Sequence, residues 1–137
     1  MSNQFISINL KCPKCGKSIM DAANKVDDHP GIKLLIKTAK QSGNIWLSPL
    51  YGSFNFICDI TIVQDEIAVF SCPHCKEELT SKELCETCSA PMASVNLDMG
   101  GKINFCTRKG CTKHSAEFED LSLALKKFYE DFDSYSS

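Results

Sequence analysis

No run of about 18 apolar residues occurs in the chain, so no segment of it is expected to span a membrane. The opening stretch "MSNQFISINLKCPKC" lacks a basic head followed by a long apolar segment, so no secretory signal is expected either. Also missing is the positive surplus of a typical nucleic-acid binder: 15 lysines and arginines stand against 17 aspartates and glutamates, for a formal net charge of −2. No serine–histidine–acid set and no Gly-rich phosphate loop suggests an active site, and there is no low-complexity tract. At 137 residues and 43% hydrophobic, the chain is one domain by length, or two very small ones, with enough apolar material for a modest core but not for two independent ones without help.

Cysteine is what the chain has in quantity: nine residues, an odd number, with three C-x-x-C pairs. In a secreted protein of this size a disulfide framework would be the expectation. Without a secretory signal the expected compartment is cytoplasmic and reducing, and the pairs point to metal ligation instead. Eight thiolates holding two divalent ions would carry the charge from −2 to about −6, which weakens the case for nucleic acid further.

The spacing Cys85-x2-Cys88-x17-Cys106-x4-Cys111 leaves room for two short strands and a turn that return the chain to its start. Two thiol-bearing turns brought together this way complete the tetrahedron that zinc prefers, with sulfur at about 2.3 Å. Gly110 gives the longer turn its backbone freedom. Cys12, Cys15, Cys72 and Cys75 then share a second ion, although the 56 residues between the pairs exceed ordinary ribbon spacing. The competing pairing joins Cys72 and Cys75 to Cys85 and Cys88, leaving Cys12 and Cys15 for Cys106 and Cys111. The first pairing is preferred because it gives each ion its own hairpins. Cys58 is the odd thiol, read as a buried structural residue. His74 lies between two ligands and is not expected to bind metal; His114 is the spare ligand should Cys106 or Cys111 face elsewhere. His29, before Pro30, is read as a surface residue.

The segment Cys85 to Cys111 and the "CPKCG" of Cys12 to Gly16 resemble the knuckles of zinc-ribbon proteins, and "CPKCG" is similar to the knuckle of rubredoxins. The resemblance covers the motifs and about half of the chain. It implies a small β-rich fold stabilised by metal, and it does not choose among the many functions of such folds.

Between the cysteines the pattern is mixed. "FISINL" (Phe5 to Leu10) alternates as a half-buried strand does. "HPGIKLLIKTAKQSGN" reads as a helix, with Ile32, Leu35, Ile36 and Ala39 on one face and Gly43 as its stop. "IWLSPLYGSFNF" reads as a loop or broken strand. "FNFICDITIV" and "EIAVFSC" read as a hairpin about Gln64 and Asp65, and Ala93 to Leu97 as a strand turning at Gly100 and Gly101 into Lys102 to Phe105. Leu121, Leu125, Phe128 and Phe132 recur at near-helical spacing. The hairpin-plus-cysteine-pair arrangement occurs twice, a loose internal echo.

The expected fold is therefore α+β: a small β-rich, zinc-ribbon-like fold with two metal sites, one inserted helix and a C-terminal helix. Residues 1–80 would form a ribbon-like domain with the inserted helix and hairpin, 81–118 a zinc ribbon, and 119–137 an amphipathic helix with an acidic tail. The expected cofactor is Zn2+, two ions, with Fe as the alternative at the first site because four thiolates suit both. Closed four-thiolate sites leave no open position for water or substrate, so no enzyme is expected. The favoured function is a non-catalytic accessory or adaptor protein whose metal sites hold a surface for a protein partner or larger complex. The alternatives are a rubredoxin-like iron electron carrier and a nucleic-acid-binding ribbon using "CTRKGCTKH". Lys11, Lys14, Lys17 and Lys76 flank the first site, and Lys102, Arg108, Lys109 and Lys113 the second. They are read first as neutralising the thiolates and second as a phosphate-contacting patch.

Overall fold

In the stretch His29–Lys37, Ile32, Leu34 and Ile36 are buried, whereas Lys33 and Leu35 are only half-buried and Lys37 is exposed. That is a period of two, and the computed structural model folds the stretch as a strand. The structure describes residues 7–50, 53–98, 100–111 and 113–118. Among the described residues there is no helix, and the expected α+β class is corrected to all-β. The helix expected from Pro30 to Gly43 is a strand, a turn and the start of a second strand. Ile32, Leu35, Ile36 and Ala39 fit a helical period, but Ile32, Leu34 and Ile36 equally fit a strand. The β-branched isoleucines, and Gly31 and Gly43, tip the balance toward extended chain. The C-terminal helix expected within 119–137 lies outside the described residues.

The strands are β1 (Leu10–Lys11), β2 (Met20–Val26), β3 (His29–Lys37), β4 (Ser42–Leu47), β5 (Phe56–Cys58), β6 (Val69–Ser71), β7 (Thr80–Leu84), β8 (Pro91–Leu97), β9 (Gly101–Cys106) and β10 (His114–Phe118). They build two five-stranded antiparallel sheets. One runs β2-β3-β4-β5, with β6 also paired to β3; the other runs β7-β8-β9-β10, with β1 also paired to β8. Ser94 opposite Asn104 and Val95 opposite Ile103 set the β8–β9 register, as the strand–turn–strand reading of that segment expects. The hairpin expected about Gln64 and Asp65 does not form. β5 pairs with β4 through Trp46 opposite Ile57, while β6 pairs with β3 through Ile36 opposite Phe70. Both segments are strands, but each finds its partner elsewhere.

Two of these pairings cross between the sheets. β1 precedes β2 in the chain yet belongs to the second sheet, through Leu10 opposite Leu97; β6 precedes β7 yet belongs to the first. Each sheet thus lends one short strand to the other. The main core lies where the sheets face each other, with Ile19, Leu34, Ile36, Val95 and Leu97 almost wholly buried. Phe70 and Phe105 meet edge to face across it, ring centroids 5.3 Å apart. A much smaller apolar cluster surrounds Cys85, Ala90, Met92 and Cys106.

Candidate metal centres

Each C-x-x-C pair closes a turn of one construction. In the first, the Cys12 amide donates to the Lys17 carbonyl (2.9 Å), and the Gly16 amide donates back to the Cys12 carbonyl (2.9 Å). The turn at Cys72 repeats this with Glu77 and Lys76, both at 3.0 Å. The turn at Cys85 repeats it with Ala90 at 2.7 Å and Ser89 at 2.8 Å. The residue after the second cysteine is left-handed in all three: Gly16 at φ 76°, Lys76 at 67° and Ser89 at 66°. Glycine advertises that conformation in a sequence, lysine and serine do not, so only the first turn was legible at this level.

The turns aim amides at sulfur. Cys12 Sγ accepts from the Lys14 and Cys15 amides at 3.2 and 3.4 Å, and Cys72 Sγ accepts from His74 and Cys75 at 3.3 and 3.5 Å. The fourth turn, at Cys106, is longer by two residues: Cys106 Sγ accepts from the Arg108 amide at 3.5 Å, and Gly110 takes φ 95°. Such bonds favour thiolate over thiol.

Folding brings together Cys12, Cys15, Cys72 and Cys75 in one cluster and Cys85, Cys88, Cys106 and Cys111 in another. This is the preferred of the two pairings, not the nested one. Within each cluster the sulfurs all lie within 4.8 Å of one another, and all nine thiols of the chain are free. A tetrahedron with arms of about 2.3 Å has edges of about 3.8 Å. The closest approaches are 3.7 Å for Cys12–Cys75 and 3.8 Å for Cys15–Cys72 in the first cluster, and 3.7 Å for Cys85–Cys111 and 3.4 Å for Cys88–Cys106 in the second. Donor type, number and spacing fit two ions, and the spacing does not distinguish zinc from iron.

Four such thiols cannot all ionise unaided. At Cys12 burial, which raises the thiol, is outweighed by the amides of Cys15 and Lys14 and by the neighbouring thiols, and the group falls to about 7. At Cys75 the Glu77 amide lowers the thiol, but burial and the three neighbouring sulfurs push it up to about 12. In the second cluster the Ala90 amide, joined by the Arg108 side chain and by Cys106 and Cys85, prevails over burial and brings Cys88 to about 6. Burial and the neighbouring thiols push Cys106 up to about 12. Each cluster thus has a thiol drawn down and a thiol pushed up; in the second, Cys85 is lowered as well, burial being outweighed by the Cys88 and Thr87 amides. A bound divalent cation would favour the thiolate form of all four together.

The flanking residues sort themselves in the same light. The Arg108 guanidinium reaches Cys88, which raises the arginine further, and its Nη1 donates to the Asp65 carbonyl at 3.0 Å. Lys113 lies 3.8 Å from Glu86, and Lys109 sits 5.0 Å over the Phe56 ring. His74 Nε2 donates to the Ser18 carbonyl at 2.9 Å, tying the two knuckles of the first cluster, and is no ligand there. Both four-thiol sets are complete without His114, whose backbone pairs with Phe105 in β10. Cys58 lies in β5 opposite Ile45, half-buried against the core and outside both clusters.

No protein-family model, curated protein or solved structure matches the chain. Fold and sites therefore define the class by themselves: among the described residues, an all-β, two-sheet fold with two tetracysteine clusters on zinc-ribbon-like knuckles.

Proposed function

We propose that the protein is a non-catalytic binding module in which two Zn2+ ions hold a surface for a protein partner. The observation that carries this reading is the set of exposed apolar side chains on and beside β5, the terminal strand of its sheet among the described residues. Phe54, Phe56 and Ile57 are 55%, 41% and 48% exposed there, and Val63 and Ile67 in the following link are 58% and 40% exposed. A short strand at a sheet edge with exposed aromatic side chains suits an added strand or a hydrophobic groove on a partner. Support for the non-catalytic part comes from the two thiol sets, each of which fills the coordination of a zinc ion. Two cations of "CTRKGC" are engaged within the fold, Arg108 against Cys88 and Lys109 over the Phe56 ring, which favours a structural use over phosphate contact.

The test is capture from the source cell by tagged protein, comparing the parent with the Phe54→Ser/Phe56→Ser variant and with Leu84→Ser. Leu84 is an exposed apolar residue in β7, 63% exposed, and serves as the control. A protein retained by the parent and by Leu84→Ser but lost from the double variant supports the reading. Equal capture by all three, or by none, contradicts it.

A second reading has one observation in its favour. Both knuckles of the first cluster direct amides onto a sulfur, the arrangement that tunes an iron–thiolate potential, and Cys15 is exposed. An iron electron carrier would be red when oxidised, and a zinc protein colourless. Elemental analysis of protein purified without added metal decides between them.

A further inference from the structure

The strand exchange has a pattern behind it. Take β1 to β5 as one series and β6 to β10 as another. Each begins with a short strand given to the opposite sheet, passes through a C-P-x-C knuckle, and continues with four strands paired in sequence. The match holds hydrogen bond by hydrogen bond. The Ile19 amide donates to Leu10 and the Leu79 amide to Phe70; Lys33 donates to Ile19 and Ser94 to Leu79. Ile8 donates to Pro49 and Ala68 to Thr107; Ser48 donates to Asn55 and Cys106 to Lys113; Ser53 donates to Leu50 and Cys111 to Arg108. The isolated bridges Ser7–Leu50 and Ile67–Arg108 correspond as well. Even the inter-sheet cavity of about 290 Å³ is lined by matching pairs, among them Leu34 with Val95, Ile45 with Ile103, and Ser48 with Cys106.

This correspondence places Ser48 on Cys106 and Ser53 on Cys111. The sequences "GNIWLSPLYGS" and "GKINFCTRKGC" then align without a gap, sharing both glycines and the isoleucine. The turn from β2 to β3 stands where the Cys85–Cys88 knuckle joins β7 to β8, since Lys25 opposite Pro30 matches Leu84 opposite Pro91. In that turn Asp27 and Asp28 are both left-handed, at φ 54° and 63°. Asp27 Oδ2 accepts from Ser48 Oγ at 2.6 Å and from Ser53 Oγ at 2.7 Å, and Asp27 Oδ1 accepts from Asn55 Nδ2 at 2.8 Å. The two loops that a metal would join in the second series are joined here by one carboxylate.

We infer that the chain is two tandem copies of one five-strand unit with exchanged first strands, and that Asp27, Ser48, Ser53 and Asn55 form a metal-free clasp at the position of the second copy's tetracysteine centre. One ligand position of that centre maps to each serine, and the carboxylate replaces ion and knuckle together. The first centre is then shared equally, one knuckle from each copy, and the boundary between copies falls in the link 59–66, not at residue 80. The reading assumes that the Cys85–Cys111 cluster binds metal, as proposed above.

The experiment restores the missing centre in the full chain. Val26–His29 is replaced by the six residues of Cys85–Ala90, together with Ser48→Cys and Ser53→Cys. The variant and the parent are titrated with Co2+. One further ion per chain, with a matching rise in thiolate-to-cobalt absorbance, is expected. A variant that keeps the parent's β-sheet circular dichroism but binds no further ion overturns the inference. If the parent itself binds no ion, the binding-module reading fails separately. Should the graft not fold, Asp27→Asn decides: amide exchange at Ser48 and Asn55 is expected to quicken about tenfold in the metal-loaded protein. Unchanged exchange there overturns the clasp.

Discussion

The two tetracysteine clusters use the same knuckle to join different things. The first takes Cys12 and Cys15 from the turn after β1 and Cys72 and Cys75 from the turn after β6, where the chain passes from one sheet to the other. Cys12 and Cys72 are at the heart of the main core, 1% and 0% exposed. The second takes all four ligands from turns at one end of a single sheet and is surrounded by its own small apolar cluster. If each cluster holds an ion, its position, not its ligand chemistry, decides how much of the fold depends on it. The largest expected effect is therefore Cys72→Ser. A structural zinc contributes about 10–16 kcal/mol in apparent terms, against a net stability of about 5–15 kcal/mol for a domain. Loss of this ligand is expected to abolish the cooperative thermal transition, read from the single tryptophan, Trp46, which lies in the first sheet. A transition shifted by only a few degrees would place the organising role elsewhere.

Cys88→Ser sharpens the contrast. It opens the second centre, and amide exchange in the two turns that hold it, residues 85–90 and 106–111, is expected to rise toward that of unfolded chain. The amides pairing β3 with β4 should stay protected, since the apolar cluster around that centre includes no residue of either strand. Chelation of the parent removes both ions and should produce the combined outcome. Uniform loss of protection in Cys88→Ser would show that the centres act as one unit and not as two of unequal reach.

The two thiol clusters were the most legible part of the molecule. C-x-x-C spacing marked all eight cysteines as candidate ligands, and the preferred of two pairings is the one that the fold brings together. The strand–turn–strand of Ala93 to Phe105 was equally readable, because Gly100 and Gly101 mark its turn. Segment 30–43 failed for a definite reason: Ile32, Leu34, Leu35 and Ile36 satisfy both periods, and only burial shows which positions face the core. The exchange of β1 and β6 left no local trace, since pairing partners are chosen across the whole chain. The clasp did leave one, in "SPLYGS" set against "CTRKGC". It is visible only when serine is allowed to stand for cysteine.

A carboxylate clasp should contribute less than an ion, and differently. Asp27→Ala removes a charged acceptor of three hydrogen bonds, partly exposed, for an expected loss of about 1–3 kcal/mol. Ser48, Ser53 and Asn55 hold the Asp27 carboxyl below its ordinary range. A carboxyl lowered in the folded state stabilises fully above its unfolded value of about 3.9 and loses that contribution only in stronger acid. His29 adds a favourable charge beside Asp27, so the urea midpoint difference between parent and Asp27→Ala should be no smaller at pH 6 than at pH 8. A difference that shrinks over that interval would mean the clasp depends on the centres.

Cys58→Ser carries the smallest expected effect and the cleanest control on the ligand count. Cys58 pairs through its backbone with Ile45 and packs half-buried against the core, with no cluster sulfur as a partner. Replacing sulfur by oxygen there costs some apolar contact, about 1 kcal/mol or less, since the new hydroxyl at a half-buried edge strand can reach water. Metal content should not move, because both four-thiol sets are complete without it. A fall in bound metal would make Cys58 a competing ligand, and the assignment of four thiols to each ion would have to change.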